Sequence, residues 1–370
     1  MEKLLTEICT PKQWKTISTS KLLDEGYTVY GANGIIGYYD EYTHENPTLM
    51  ITCRGATCGT LNISKPFSYI NGNAMALDNL DDDIDIKYLY YYLRNRGLKD
   101  TISGSAQPQI TRIGLANVKI NYPNIEIQKK IVEVLDKVQE LIDKRKEQIE
   151  ALDELVKSRF IEMFGDKNKF EYVKIEDLVK NRSDIVDGPF GSNLKTVDYV
   201  DSGVRVIQIN NIGECEFRDK NKKYVTEEKF NSLIKHSVIP GDIVVAKMGE
   251  PIGRACILPS NIEKAIIVAD CMKIRPNTDI VNTKYLEFLL NSEEVKSQFK
   301  KYSQGSTRVR LNLTMLRQVK VLYPDIELQN QFADFANQVD KLKSQMETSL
   351  KELEDNFNSL MQKAFKGELF

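Results

Sequence analysis

The sequence predicts an α/β protein with two tandem lobes of mixed α+β structure. Two long helices, paired as an antiparallel coiled coil, join the lobes in a pseudo-twofold internal repeat. Three observations predict this fold. A stretch from Asn124 to Phe164 returns from Asp325 to Phe365, neither stretch contains proline or glycine, and the segments that precede them match each other without gaps.

The internal repeat extends well beyond the two long stretches. Gly104 to Gln128 aligns with Gly305 to Gln329, and ten of these 25 positions are identical. Weaker matches continue upstream, where Gly55 and Gly59 correspond to a second pair of glycines at Gly249 and Gly253. A period near 200 residues indicates a tandem duplication and not an array of short repeats.

Each long stretch has the features of one continuous helix. A proline precedes Asn124 and Asp325, whose side chains suit the N-cap position, and an acidic residue follows in the first turn. Apolar residues then recur at steps of three and four, the spacing of a coiled-coil seam. The predicted seam residues include Ile131, Val138, Leu152, Phe332, Leu342 and Leu353.

Neither helix can bury its apolar stripe alone, so we expect each to pack on the other. The first helix runs from the first lobe to the second. The second helix starts at the second lobe, so it must run back toward the first lobe in order to pack on the first helix. Two unrelated surface helices would be the alternative. The expected organisation is a first lobe at residues 1–122, a first long helix at 123–165, a second lobe at 166–323 and a second long helix at 324–370.

Short strands and helices are predicted within each lobe. The strand candidates are rich in valine and isoleucine and are bounded by Gly, Pro or Asn. They are Thr48 to Thr52, Ala116 to Asn121, Val204 to Ile209, Asp242 to Ala246, Ala265 to Val268, Met272 to Arg275 and Gln318 to Tyr323, with short helices at Ile86 to Arg94 and Thr283 to Leu290.

Composition and charge limit the possible function classes. The net charge of −2 gives no global basic field that would attract nucleic acid. The six cysteines form no Cys-x-x-Cys pair, which predicts reduced thiols and a cytoplasmic protein. No apolar run is long enough for a membrane span, and the first residues lack the apolar core of a signal peptide.

Motifs for catalysis are not found in the sequence. There is no Pro-Pro pair of the kind found in adenine methyltransferase motifs, no phosphate-binding glycine loop and no dinucleotide-binding fingerprint. His44 and His236 are the only histidines, which leaves little material for a metal site or a catalytic triad. We therefore expect no catalytic residues, no metal and no cofactor on this chain, although an enzyme with an unrecognised site stays open.

Polar loops in both lobes are candidate DNA contacts, because Arg, Gln and Asn can bind guanine and adenine edges with two hydrogen bonds. For each loop the alternative is a plain solvated turn, but their recurrence in both lobes favours a function. The predicted DNA-binding residues are Asn33, Arg54, Gln107, Gln109 and Arg112 in the first lobe, and Asn193, Lys195, Lys247, Arg254, Arg308, Arg310 and Asn312 in the second.

Several motifs, taken together over nearly the whole chain, resemble the specificity subunits of Type I restriction–modification enzymes. They are the repeated Tyr-Pro-x-Ile-Glu-Ile/Leu-Gln opening of the helices, the segment Ser158 to Asp166, the loop Asp187 to Lys195 and the segment Ala364 to Leu369. The first lobe departs from the pattern, since it has no match to Gly188 to Lys195.

The resemblance implies that each lobe recognises one half of a split double-stranded DNA site. It implies that the helices set the spacing and carry methyltransferase subunits, which would hold S-adenosylmethionine, and that restriction–translocase subunits join for cleavage. A coiled-coil adaptor whose lobes bind other proteins is the alternative from another class. Arginines at corresponding loops of both lobes favour DNA recognition.

Overall fold

The computed structural model describes residues 1–32, 34–104, 107–302 and 310–370. The chain divides into two compact units, Met1–Ile149 with Gln345–Phe370, and Glu150–Ser344. Each unit therefore contains one lobe together with part of each long helix, so that neither long helix belongs to a single unit.

The first lobe, within unit 1, is built from short strands and three short helices. Its elements are β1 (Glu2–Leu4), α1 (Leu5–Ile8), β2 (Thr10–Gln13), β3 (Tyr27–Gly31), β4 (Gly34–Tyr39), β5 (Leu49–Thr52), β6 (Leu61–Ile63), β7 (Ser68–Ile70), β8 (Ala74–Asp78), α2 (Ile86–Arg96), β9 (Ile102–Ser103), β10 (Gln109–Ile110), α3 (Arg112–Leu115) and β11 (Lys119–Asn121), followed by the long helix α4 (Ile125–Phe164).

The second lobe, within unit 2, follows the same plan with additional elements. It contains β12 (Glu171–Lys174), β13 (Ile185–Asp187), β14 (Val204–Ile207), β15 (Lys223–Val225), α5 (Glu227–Ser232), β16 (Ser237–Val238), β17 (Ile243–Ala246), β18 (Ala255–Ile257), β19 (Ala265–Ile267), β20 (Cys271–Ile274), α6 (Thr283–Leu290), α7 (Glu293–Tyr302), α8 (Leu313–Gln318) and β21 (Lys320–Tyr323), followed by the long helix α9 (Ile326–Lys366).

The two lobes share one sheet topology. An antiparallel sheet has the order β2-β8-β5-β6 in lobe 1 and β13-β20-β17-β18 in lobe 2. A second sheet in each lobe contains one parallel pair, β3 with β7 and β14 with β19. The first strand of each lobe pairs antiparallel with its last, β1 with β11 and β12 with β21. This correspondence confirms the internal repeat that the sequence predicts.

A buried glutamine fixes the start of each long helix to its lobe. The Gln128 side chain accepts a hydrogen bond from the Asp85 N–H at 2.9 Å and donates to the Pro123 carbonyl at 2.9 Å. Gln329 makes the equivalent bonds with the Asn282 N–H and the Pro324 carbonyl. Both side chains are fully buried, and these bonds satisfy amide groups that would otherwise be costly to bury. These bonds explain why the repeated Tyr-Pro-x-Ile-Glu-x-Gln motif ends in glutamine at the start of both long helices.

The long helices run antiparallel in each unit. In unit 2 the Asp153 carboxylate accepts from Lys343 Nζ at 2.7 Å, while Phe160, further along α4, contacts Phe332, which is earlier in α9, with ring centroids 5.4 Å apart. In unit 1, Lys146 of α4 pairs with Glu354 of α9 at 3.0 Å. The N-terminal part of α4 and the C-terminal part of α9 also share the core of lobe 1. The predicted antiparallel pair is therefore confirmed.

Most predicted seam residues lie where the helices pack, but one does not. Ile131, Leu152 and Phe332 are buried, and Val138 and Leu353 are partly buried against the core of lobe 1. Leu342, in contrast, is 41% exposed, so its assignment to the seam is wrong. The neighbouring Lys343 takes the position that faces α4, and one residue corresponds to about 100° around a helix. The apolar spacing alone did not reveal this local rotation.

Candidate DNA interface

In lobe 1 the chain brings two of the predicted loops together. Ile110 donates its N–H to the Cys53 carbonyl at 3.0 Å, and Gly55 donates to the Pro108 carbonyl at 3.2 Å. These bonds join the loop after β5 to the strand β10. We call Arg54, Gln107, Gln109 and Arg112 the lobe 1 cluster.

The side chains of the lobe 1 cluster are all exposed. Arg54 forms a backbone bridge with Gln109, so a guanidinium and an amide are carried by adjacent backbone. Arg112 begins the short helix α3, whose N-cap is Thr111. Both residue types can pair with base edges in the major groove. The cluster therefore presents donors and acceptors to the outside and places its apolar neighbour Ile110 in the core.

In lobe 2 the same backbone frame recurs at corresponding positions. Leu311 donates its N–H to the Lys247 carbonyl at 2.8 Å, as Ile110 does to Cys53. Lys247 donates its own N–H to the Asp270 carbonyl at 2.9 Å, as Cys53 does to Asn73. The duplicated loops thus share a hydrogen-bonded frame but carry different side chains.

Two ion pairs organise the loops of lobe 2. Lys247 Nζ donates to Asp187 Oδ1 at 2.7 Å, and Arg310 Nη2 donates to Asp270 Oδ1 at 2.9 Å. We call Asp187, Lys247, Asp270 and Arg310 the lobe 2 cluster. The Lys247 side chain is only 9% exposed, whereas that of Arg310 is 46% exposed. Of the two cationic residues in this cluster, Arg310 is therefore presented to solvent and Lys247 is held inside.

Arg254, another predicted DNA contact, directs its guanidinium at the backbone. It donates to the Ile212 carbonyl at 2.8 Å and, over longer distances, to the carbonyls of Ile209, Glu250 and Pro251. These bonds hold the loop between β17 and β18. The geometry indicates that Arg254 shapes the loop, because most of its donors are already used.

Three further predicted residues lie on two segments of lobe 2. Asn312 is exposed, but its side-chain oxygen caps α8 by accepting from the Met315 N–H at 2.9 Å. Its counterpart in lobe 1 is the N-cap Thr111, so this position is a helix start in both lobes. Asn193 and Lys195 are exposed on the loop between β13 and β14. Asn33 and Arg308 lie outside the described residues.

The thiols beneath the two clusters are protonated. Burial raises the pKa of the Cys53 thiol, and burial raises the pKa of Cys271 to about 12. Both groups are therefore neutral at neutral pH, and the Cys53 thiol donates to the Asn73 carbonyl at 3.1 Å. Within the described ranges, no group of three or more His, Cys, Asp or Glu is arranged to hold a metal ion. No helix in this part of the chain is long and apolar enough to cross a lipid bilayer.

Sequence reasoning missed the carboxylates of the lobe 2 cluster. Asp187 is 60 residues from Lys247, and Asp270 is 40 residues from Arg310. No local pattern connects such pairs. His236 is also close, because its Nδ1 hydrogen-bonds with the Asp187 carbonyl at 2.6 Å. The only available signal was the repeat itself, which aligns Asp270 with Asn73.

Two lobes of one topology, each with a polar loop cluster that presents arginine to solvent, are joined by a long antiparallel helix pair and define a two-lobed recognition protein. A family model described as the Type I restriction modification DNA specificity domain matches residues 1–152 and 166–355. The chain belongs to this family.

Known relatives and solved structures agree with this assignment. A Type I restriction enzyme MjaVIII specificity subunit from Methanocaldococcus jannaschii is 24% identical over 345 residues, covering 86% of this chain and 80% of the relative. The fold is similar to a Type I restriction–modification S subunit from M. genitalium, with a TM-score of 0.64, 16% identity and coverage of 99% and 96%. A second structure, from work on assembly of the type I system, has a TM-score of 0.55 at 15% identity and covers 100% and 98%.

Proposed function

We propose that this Type I DNA-specificity subunit recognises a split DNA site, with each lobe contacting one half through its loop cluster. The observation that carries the proposal is the hydrogen-bonded loop frame that occurs in both lobes with different exposed side chains. A shared frame places both clusters similarly on their lobes. Different side chains on that frame give two different half-sites.

The exposed arginine and glutamine side chains of the clusters suit the edges of DNA bases. Arg54 and Arg310 can donate two parallel hydrogen bonds to guanine, and Gln107 or Gln109 can pair with adenine through its amide. Lys247 and Arg254 act within the protein, since one is ion-paired and the other bonds to carbonyls. We assign them the positioning of their loops.

Partner subunits supply what the chain itself lacks. A net charge of −2 gives little neutralisation of DNA phosphates, the main source of affinity in protein–DNA complexes. Methyltransferase subunits docked on the helix pair α4–α9 would hold the DNA backbone and leave base recognition to the lobes. They would also bind S-adenosylmethionine, and restriction subunits would join the same assembly. Six free cysteines suit action in the reducing cytoplasm.

The test of this function uses the chain alone and co-expressed with a methyltransferase subunit. We expect tight, sequence-dependent retardation of duplex DNA only with the assembly. Methylome sequencing of a host with and without the chain should show one split motif that depends on it. A coiled-coil adaptor would bind proteins but leave the methylome unchanged, and that result would contradict the proposal.

Because we assign S-adenosylmethionine binding to the methyltransferase subunits, we also predict that this chain is not itself a catalyst. Purified alone and incubated with labelled S-adenosylmethionine and host DNA, it should transfer no methyl group. The assembly with methyltransferase subunits serves as the positive control. Methyl transfer by the single chain would contradict a purely recognising role.

A further inference from the structure

Large apolar side chains are exposed close to the predicted DNA contacts of both lobes. Among the described residues, only three such side chains are more than four-fifths exposed: Ile113 at 85%, Phe190 at 83% and Val197 at 87%. Ile113 follows Arg112 of the lobe 1 cluster, and the other two lie on the loop that begins after Asp187. Single exposed apolar residues are common on protein surfaces, but these three are the most exposed of them, and each lies within three residues of a predicted DNA contact.

Phe190 is held out by a firmly anchored turn. On its N-terminal side Gly188 donates its N–H to the Cys271 carbonyl at 2.9 Å, and a Cβ at Gly188 would lie 1.9 Å from the Val268 oxygen. The turn closes where the backbone N–H of Asn193 donates to the Phe190 carbonyl at 2.8 Å. Leu194 then enters a core cluster and is only 9% exposed. Both flanks are fixed, so the ring projects from a defined backbone.

The same turn lies beside the charged groups of the lobe 2 cluster. Asp187, immediately before Gly188, holds Lys247, and its carbonyl contacts His236. Lys195 is exposed five residues beyond Phe190. An exposed aromatic ring with an exposed lysine on the same loop suits a stacked base next to a phosphate. Aromatic residues are also enriched in protein interface cores, but lysine is depleted there.

We propose that Phe190 is a base-stacking residue that inserts its ring at a base step in the half-site recognised by lobe 2. This inference rests on the proposed function and adds a mode of recognition to it. Apolar side chains that enter DNA partly unstack a base step, and the flexibility of that step then contributes to sequence selection. The ring would thus select deformable steps in addition to the hydrogen bonds from Arg310.

The experiment uses the assembly of this chain with methyltransferase subunits and a duplex that carries the motif defined by methylome sequencing. 2-Aminopurine replaces one base at a time through both half-sites. Apart from any increase at bases that the methyltransferase subunits flip out, we expect binding to raise its fluorescence at one step of the lobe 2 half-site. Phe190→Ala should abolish that signal and weaken binding about 10- to 100-fold, the usual effect of removing one base–aromatic stack. Phe190→Trp should retain both.

Leu23→Ala provides a matched control, because Leu23 is a 48% exposed apolar residue in the other lobe. It should leave fluorescence and affinity unchanged. Normal specific binding by Phe190→Ala, or an unchanged 2-aminopurine signal, would overturn the stacking role and leave the split-site function intact. Failure of the unmodified assembly to prefer its motif over random duplex would instead overturn the proposed function, and with it this inference.

Discussion

Arg310 and Lys247 belong to one cluster, but their charges have different uses. The Lys247 ammonium is almost fully enclosed with Asp187. Arg310 keeps nearly half of its side chain exposed while it pairs with Asp270. A guanidinium carries five N–H groups, so this ion pair leaves donors for a guanine edge. The carboxylate also fixes the orientation of the fork before DNA arrives.

Replacing Arg310 by alanine should therefore weaken site-specific binding of the assembly by about 1–3 kcal/mol, with the loss confined to one half-site. Competition binding with duplexes altered in either half measures this. Lys180→Ala is the control, since it removes an equal charge that pairs with Asp279. An equal loss on every sequence would reassign Arg310 to a phosphate contact.

Individual residues differ in how much of their role is visible in the sequence. Arg54 and Arg310 are predicted DNA contacts, and the structure places both at the surface. Lys247 has a similar sequence setting, but tertiary structure brings Asp187 to it. Asn312 has an amide that suits adenine, but Asn is also a preferred N-cap residue, and its side chain caps α8. Whether such a residue contacts DNA or stabilises its own loop depends on its burial and on partners that are distant in the sequence. Neither can be predicted from the local sequence.

At the scale of elements, the repeated glycines show different constraints in the two lobes. Gly59 and Gly253 both have positive φ, at +94° and +78°. A Cβ at Gly253 would lie 2.4 Å from the buried ring of Phe299, whereas at Gly59 its nearest neighbour is 3.8 Å away. Gly59→Ala should thus cost only the backbone term of about 1–2 kcal/mol.

Gly253→Ala should cost about 1–3 kcal/mol more, because the new methyl overpacks the core of lobe 2. Urea unfolding of both variants, with the unchanged chain as reference, measures the difference in the free energy of unfolding. Equal losses would mean that Phe299 moves aside without cost.

Because Leu342 is exposed on α9, two substitutions at this position can distinguish a side-chain effect from a backbone effect. Leu342→Ala should change stability by no more than about 0.5 kcal/mol, as is usual at the surface. Leu342→Pro should cost about 3 kcal/mol or more, since proline removes a helical hydrogen bond and clashes with the preceding turn. We also expect it to prevent methyltransferase assembly, which gel filtration of the co-expressed subunits detects. An intact complex with the proline variant would show that this part of α9 is not needed for docking.

Element boundaries followed from the sequence where chemistry is local. Proline before the helix, an N-cap side chain and a following glycine predicted the ends of α4 within a residue, and Thr283–Leu290 was predicted as observed. The strand predicted from Ala116 begins only at Lys119, because Ala116 closes the short helix α3. A three-residue strand beside a four-residue helix carries too little periodicity to be separated in advance.

At the scale of the whole molecule, the C-terminal end of each long helix packs in the same way on the lobe that it reaches. Phe164, at the end of α4, packs its ring 5.2 Å from Tyr285 in lobe 2. Phe365, at the end of α9, packs 5.5 Å from Tyr88, the corresponding tyrosine of lobe 1. Both tyrosines also donate to a backbone carbonyl just before the start of a long helix. Each lobe is thus held by the start of one helix and the end of the other.

Equivalent attachments predict that the lobes are exchangeable modules. Replacing residues 166–323 by the matching segment of a relative with another specificity should exchange one half of the methylated motif and preserve the other. The gap between the halves should stay the same, because α4 and α9 are retained. The incoming lobe needs a counterpart of Tyr285, since the fully buried ring contacts Phe164 and Phe332 of the helices.

Methylome sequencing of hosts that express the parent chains and the chimera determines both halves of the motif and the length of the gap between them. A chimera in which the segment is replaced by the chain's own lobe 2, with the same junction sequences, controls for the joints. If both halves changed together, base recognition would depend on contacts shared by the lobes. The duplicated loop frames would then position one composite surface, and single substitutions such as Arg310→Ala would alter both halves of the motif.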